Sequence, residues 1–193
     1  MCELTGVRVG CAMTGSFCTF DRAFGVWEAL RDAGAALTPI MSFNAAGTDT
    51  RFCAAAEAVA RFEAIAGREV IRTLVQAEPI GPKKLLDALV VMPCTGNTLA
   101  KLANGIADTP VTLAVKSHLR NARPVVIAVS TNDALGMNAR SIGQLLQAKH
   151  FYFVPMAQDD SAEKPNSIVA RFELLPETLR AALQGRQLQP VMR

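Results

Sequence analysis

Long apolar runs, aromatic side chains and histidines are all scarce in this sequence. No run approaches the roughly 20 apolar residues that a membrane-spanning helix needs, and the start lacks a basic segment followed by a long apolar core. The expectation is a cytoplasmic protein with no membrane contact. The net charge of +3 comes from dispersed Lys and Arg rather than from a basic block, at a pI of about 8.7, and few aromatics stand beside those cations. A nucleic-acid surface is not expected. The five cysteines, Cys2, Cys11, Cys18, Cys53 and Cys94, are odd in number and scattered, without a CxxC pair or a histidine close by. Neither a disulfide framework nor a metal site follows from them.

What the sequence does have is apolar content. Half of the 193 residues are apolar, enough to bury one core, and no repeat, low-complexity tract or linker divides the chain, so residues 1–193 read as a single domain. Five short runs, Val7–Met13, Ala36–Ser42, Ala88–Pro93, Pro124–Ser130 and Phe151–Met156, are almost wholly apolar, as strands covered on both faces are. Helical spacing separates them. Phe20, Ala23, Phe24, Trp27 and Leu30 recur along one face before Gly34, and helices also fit Thr50–Ala66, Thr95–Ile106, Val111–Asn121, Ala134–Lys149 and Pro176–Gln184. Pro79, Gly81 and Pro82 interrupt Val70–Lys84, which reads as a strand-like piece and a loop. The alternation predicts an α/β fold, a central parallel sheet with helices on both faces.

Such sheets bind ligands at the carboxyl ends of their strands, which selects four turns. In AMTGSFCTF the first strand ends at Thr14, Gly15 permits a tight turn, and Ser16 and Thr19 stand where a helix begins. Free N–H groups and hydroxyls there suit a phosphate; the alternative is that Ser16 and Thr19 cap the helix. The turn lacks GxGxxG spacing, and the second strand runs into Ser42-Phe43-Asn44 where a dinucleotide fold would carry an acid. A mononucleotide phosphate therefore fits better than a dinucleotide. After the third strand, Thr95, Gly96, Asn97 and Thr98 crowd small polar groups into one turn, more than a single helix cap requires. Cys94, just before them, is read either as lining a ligand or as the small buried hydrophobe that a free cysteine more often is. Ser130, Thr131, Asn132 and Asp133 follow the fourth strand, and Gln158–Ser167 forms a fourth, polar loop containing Lys164. Lys116, His118, Arg120 and Arg123 cluster in KSHLRNAR, either as a grip for a dicarboxylate or as cations favoured at a helix C-terminus.

PCTGNTLAKLANGIADTP resembles the PASANT-type motif of the homo-oligomeric flavin-containing cysteine decarboxylase superfamily, and Thr14–Ser16 resembles that family's first phosphate turn. Over nearly the whole chain the likeness is closer to one branch, the B subunits of dipicolinate synthase. It runs through MTGSFCTF, AEPIGPKKLLDALVVMPCTGNTLAKLANGIADTPVTLAVKSHLRN, RPVVIAVSTNDALGMNARSIGQLL and FYFVPMAQDDSAEKPNSIVA. The resemblance implies a three-layer flavodoxin-like or Rossmann-like sandwich and an FMN site built in part by contacts within a homo-oligomer. It also implies a separate A subunit that binds NAD(P) and, with this chain, makes dipicolinate in sporulating bacteria. Carried over by position, Thr14, Gly15 and Ser16 would meet the phosphate, Ser42 and Asn44 would close the same end, and Cys94, Thr95, Gly96, Asn97 and Thr98 would edge the flavin ring. A small dicarboxylate substrate would draw on Lys116, His118, Arg120, Asn132 and Lys164. The decarboxylases of the superfamily use a histidine on an early helix, whereas His118 and His150 both stand late here. That favours an oxidoreductase subunit over a flavin-dependent decarboxylase; a non-catalytic scaffold for the A subunit is the third reading.

Overall fold

The computed structural model describes residues 4–193, so Cys2 lies outside the described residues. The expected parallel sheet is present. Its strands are β1 (Arg8–Met13), β2 (Ala36–Met41), β3 (Ala88–Cys94), β4 (Val125–Thr131), β5 (Phe151–Phe153), β6 (Met156–Ala157) and β7 (Ile168–Ala170). The order is β2-β1-β3-β4-β7-β6, with β5 also on β4. β1 pairs in parallel with both β2 and β3, and β3 in parallel with β4. β3 is buried at every position, the burial that a strand covered by helices on both faces must have.

The helices are α1 (Phe20–Asp32), α2 (Phe43–Gly47), α3 (Ala55–Ala66), α4 (Leu74–Ala77), α5 (Gly96–Ala103), α6 (Pro110–Leu119), α7 (Asn138–Leu146) and α8 (Leu175–Leu183). α1 packs with α3, and α5 with α6 and α7. The stripe read from the sequence is the buried face of α1: Phe20, Ala23, Phe24, Trp27 and Leu30 are all in the core. Trp27 stacks on Phe62 of α3 with centroids 6.1 Å apart, and Phe24 meets the same ring edge-on at 5.9 Å. Each such buried side chain contributes roughly 1.5–3 kcal/mol of transfer free energy.

Four stretches differ from the sequence reading, each for a local reason. The expected fifth strand breaks into β5 and β6, because Pro155 has no N–H for a ladder and β6 pairs antiparallel with β7 instead. α3 starts at Ala55 rather than Thr50, since the Asp49 carboxylate accepts the Ala55 N–H at 2.8 Å and Thr50 closes a turn onto Cys53. α7 starts at Asn138 rather than Ala134, because the Asp133 carbonyl accepts from Gly136 and Asn138 in a turn. Within 70–84 the strand-like piece shrinks to a bridge between Ile71 and Ile40, and α4 follows, opened by a Thr73–Gln76 capping box.

Candidate functional site at the strand carboxyl ends

β1 sends its connection to β2 on one side, and β3 sends its own to β4 on the other, so the strand order reverses between β1 and β3. A crevice opens beyond such a reversal. Thr14 ties the two strand ends together. Its backbone N–H and its hydroxyl both donate to the Pro93 carbonyl, at 3.2 and 2.8 Å, and its Oγ1 accepts the Thr95 N–H at 2.9 Å. Thr95 in turn caps α5, its Oγ1 accepting the Thr98 N–H and donating to the Thr98 hydroxyl. One strand over, Ser42 caps α2 by accepting from the Ala45 N–H.

Two adjoining cavities open above these turns. The larger, about 720 Å³, is lined by Gly15–Thr19 after β1, Thr95–Asn97 after β3, Ser130–Asp133 at the end of β4, and Asp159, Lys164, Ser167 and Val169 around β7; Arg22, Phe52 and Asn138 complete it. The smaller, about 410 Å³, is lined by Thr14, Ser42, Phe43, Asn44, Thr98, Lys101, Asp108 and Thr109. Both share Gly15, Phe17, Thr95 and Asn97. Ser16 and Ser130 meet across the larger cavity with their hydroxyl oxygens 2.8 Å apart. The Asp133 carboxylate accepts from the Asn138 amide at 3.0 Å. Burial opposes charge on Asp159, but hydrogen bonds from Ser167 and Lys164 outweigh it and hold the carboxyl below its ordinary range.

Most residues singled out in the sequence meet here, but in different roles. Gly15, Ser16, Asn44 and Asn97 face the cavities, whereas the hydroxyls of Thr14, Thr95 and Thr98 are spent on one another and on the backbone. Gly96 is required by protein packing: a Cβ there would fall on the Asn138 amide and within 2.9 Å of the Thr131 hydroxyl. Cys94 lines neither cavity. It is wholly buried in β3, and desolvation raises its thiol pKa far above the ordinary value, so of its two readings the small buried hydrophobe is the one the fold shows.

The cations of KSHLRNAR are not at this end of the sheet. Lys116 and His118 lie on the last turn of α6, and Arg120 follows it, just ahead of the start of β4. His118 Nε2 is 3.1 Å from the Pro124 carbonyl, and burial lowers its pKa to about 4. Arg123 donates to the Leu86 carbonyl and pairs with Asp87, which also takes Arg8 at 2.6 Å; these groups mark the amino ends of β1 and β3. Asn132 and Lys164 do line the larger cavity. The sequence reading missed Arg22, Phe52 and Lys101. Arg22 sits only one turn past Thr19 on α1, a position from which a helical side chain reaches the strand-end turn, and that spacing was available in the sequence.

The Flavoprotein family model matches residues 2–168, a span that takes in the four strand-end turns. The chain is 46% identical over 192 residues to the dipicolinate synthase B subunit of Bacillus subtilis (strain 168), covering 100% of this chain and 96% of that one. It is similar in structure to the dipicolinate synthase B subunit from Bacillus halodurans C, with a TM-score of 0.91 at 43% identity over 99% of this chain and 98% of that one. The fold alone is shared with the FMN-dependent cysteine decarboxylase SpaF, at a TM-score of 0.69 and 23% identity over 94% and 98% of the two chains. With likeness running the length of the chain, this protein belongs to the flavoprotein family, in the branch formed by the dipicolinate synthase B subunits.

Proposed function

We propose that this chain is the B subunit of a two-subunit oxidoreductase that holds FMN in the strand-end cavities and helps convert a cyclic tetrahydro- or dihydrodipicolinate to pyridine-2,6-dicarboxylate. The observation that carries the reading is the pair of adjoining cavities at the β1/β3 reversal in a chain 46% identical to a dipicolinate synthase B subunit. The residues fit the cofactor. Ser16, Ser130, Ser167, Asn44 and Asn97 offer hydroxyls and amides for a phosphate and a polyol, and Phe17, Phe52 and Val169 offer flat apolar surface for a ring. The cavity volumes also lie within the ~300–1,000 Å³ typical of ligand sites.

Aromatising a dihydropyridine dicarboxylate removes two electrons and two protons, and a tetrahydropyridine one loses twice as many in two such rounds; a bound flavin would supply a two-electron acceptor for each round. The chain's own groups would orient the ring and take the protons. Asp133 and Asp159 are the carboxylates lining the larger cavity, the first engaged by Asn138 and the second kept charged by its hydrogen bonds. The crevice has neither the GxGxxG turn nor an acid after β2, where Ser42 caps a helix instead. A nicotinamide cofactor is therefore assigned to the A subunit.

The test is an absorption spectrum of the purified protein followed by FMN titration of the wild type, Ser16→Ala and Asn97→Ala by fluorescence quenching. Each lost hydrogen bond is expected to weaken FMN by about 0.5–1.5 kcal/mol, roughly two- to twelvefold in Kd. No binding by the wild type, or equal binding by all three, overturns the cofactor assignment. Dipicolinate formed at full rate by either subunit alone overturns the division of labour.

A further inference from the structure

The larger cavity is lined by two cations among the described residues, Arg22 and Lys164, and they come from different elements. Arg22 projects from the first turn of α1 and Lys164 from the loop between β6 and β7. Neither is held by a strong partner. The nearest acid to Arg22 is Glu173 at 4.0 Å, with both side chains more than half exposed, and Lys164 meets Asp159 only at 3.4 Å. Exposed pairs at such distances stabilise a fold very little.

The Arg22 side chain and the backbone that carries Lys164 are nevertheless held in place. The guanidinium of Arg22 lies 5.1 Å from the centroid of the buried Phe172 ring, an attraction that favours one orientation. The loop carrying Lys164 is a folded turn: the Lys164 N–H donates to the Asp160 carbonyl at 2.9 Å, the Ser167 N–H donates to the Lys164 carbonyl at 2.9 Å, and Gln158 Nε2 donates to the Pro165 carbonyl at 2.8 Å. The cavity thus presents a planar guanidinium, which accepts a carboxylate through two parallel N–H donors, and a compact ammonium from a second element.

We infer that Arg22 and Lys164 each hold one carboxylate of a planar dicarboxylate ring bound in the larger cavity, and so select a dianion over a monoanion. This rests on the reading of the substrate given above. Arg22 supplies the bidentate contact, and Lys164 exchanges its loose contact with Asp159 for the ligand.

The probes are pyridine-2,6-dicarboxylate and pyridine-2-carboxylate, titrated calorimetrically at fixed ionic strength into the wild type, Arg22→Met, Lys164→Met and the distant control Arg120→Met. The wild type and Arg120→Met are expected to prefer the dicarboxylate at least tenfold. Arg22→Met and Lys164→Met are each expected to lose about tenfold for the dicarboxylate and to bind the two ligands alike. Arg22→Lys should recover part of the loss. Unchanged affinity and preference in both cavity variants overturns the inference and leaves the substrate reading intact. If the wild type binds neither ligand, the substrate reading fails and the inference falls with it.

Discussion

Thr14 and Thr95 are joined by a hydrogen bond from the Thr95 N–H to the Thr14 Oγ1 at 2.9 Å, made inside the fold where water does not reach Thr14. The same hydroxyl donates to the Pro93 carbonyl at 2.8 Å. Thr14→Val keeps the shape and deletes the hydroxyl, which strands the Thr95 N–H and takes one donor from that carbonyl. Leaving such groups unpaired costs about 1–3 kcal/mol. A lowered urea midpoint at unchanged slope, largely restored in Thr14→Ser, is the expected result; Thr14→Val as stable as the wild type would count against the clasp.

Gly96 is predicted to be intolerant of alanine because of Asn138. The added methyl would meet the Asn138 amide and the Thr131 hydroxyl, and overpacking of this kind costs about 1–3 kcal/mol. Combining Gly96→Ala with Asn138→Ala should recover part of that loss, giving a non-zero coupling in a double-mutant cycle of unfolding free energies. Strict additivity would show that the two sites do not press on each other.

His118 makes stability depend on pH. Burial is the main cause of a pKa lowered to about 4, so between that value and the ordinary one near 6.5 the unfolded chain binds a proton that the folded chain excludes. Stability therefore falls as pH drops through this window and levels off below the folded pKa, a linkage on the order of 3 kcal/mol in total. In His118→Gln, which titrates no proton, the slope of unfolding free energy between pH 6.5 and 4 should be shallower than in the wild type. Identical slopes would mean that His118 takes up its proton as readily in the fold as in the unfolded chain.

Assembly is predicted to use the rim of the cavities. The aromatic cluster of Phe17, Phe20 and Phe24 belongs to the chain's own core, with Phe20 and Phe24 buried and Phe17 packed against them. Phe43, Phe52 and Met137 are instead exposed, at 51%, 52% and 83%; the two phenylalanines line the cavities, and Met137 follows the β4 turn. Light scattering is expected to give a homo-oligomer at micromolar concentration, and Phe52→Glu with Met137→Glu should shift it to smaller species. A wild-type monomer under those conditions removes the proposal.

The sheet was legible because its strands are apolar on both faces, a pattern that burial enforces residue by residue, as in Ala88–Cys94. The strand-end turns were legible for a related reason: Gly15 and the small polar groups after Cys94 have no place in a buried strand. The side of the molecule on which a helix ends was harder to read. Lys116, His118 and Arg120 look like an anion site in one dimension, yet a helix that runs back beneath the sheet carries its last turn to the opposite end from its first. Side-chain economy was also hidden, since nothing in the sequence says that the Thr14, Thr95 and Thr98 hydroxyls satisfy one another.

Ser16 stands just after β1 and Ser130 near the end of β4, strands that do not touch because β3 runs between them, yet their hydroxyls bond directly at 2.8 Å. The two turns thereby arch over the end of β3 like the halves of a latch. A ligand oxygen that takes the proton of the serine donating in this bond breaks it, whereas the accepting serine keeps its own proton to offer while the bond stands. A ligand that draws the donating proton after one strand therefore changes the hydrogen bonds open to the hydroxyl after the other, next to the pair formed by Asp133 and Asn138.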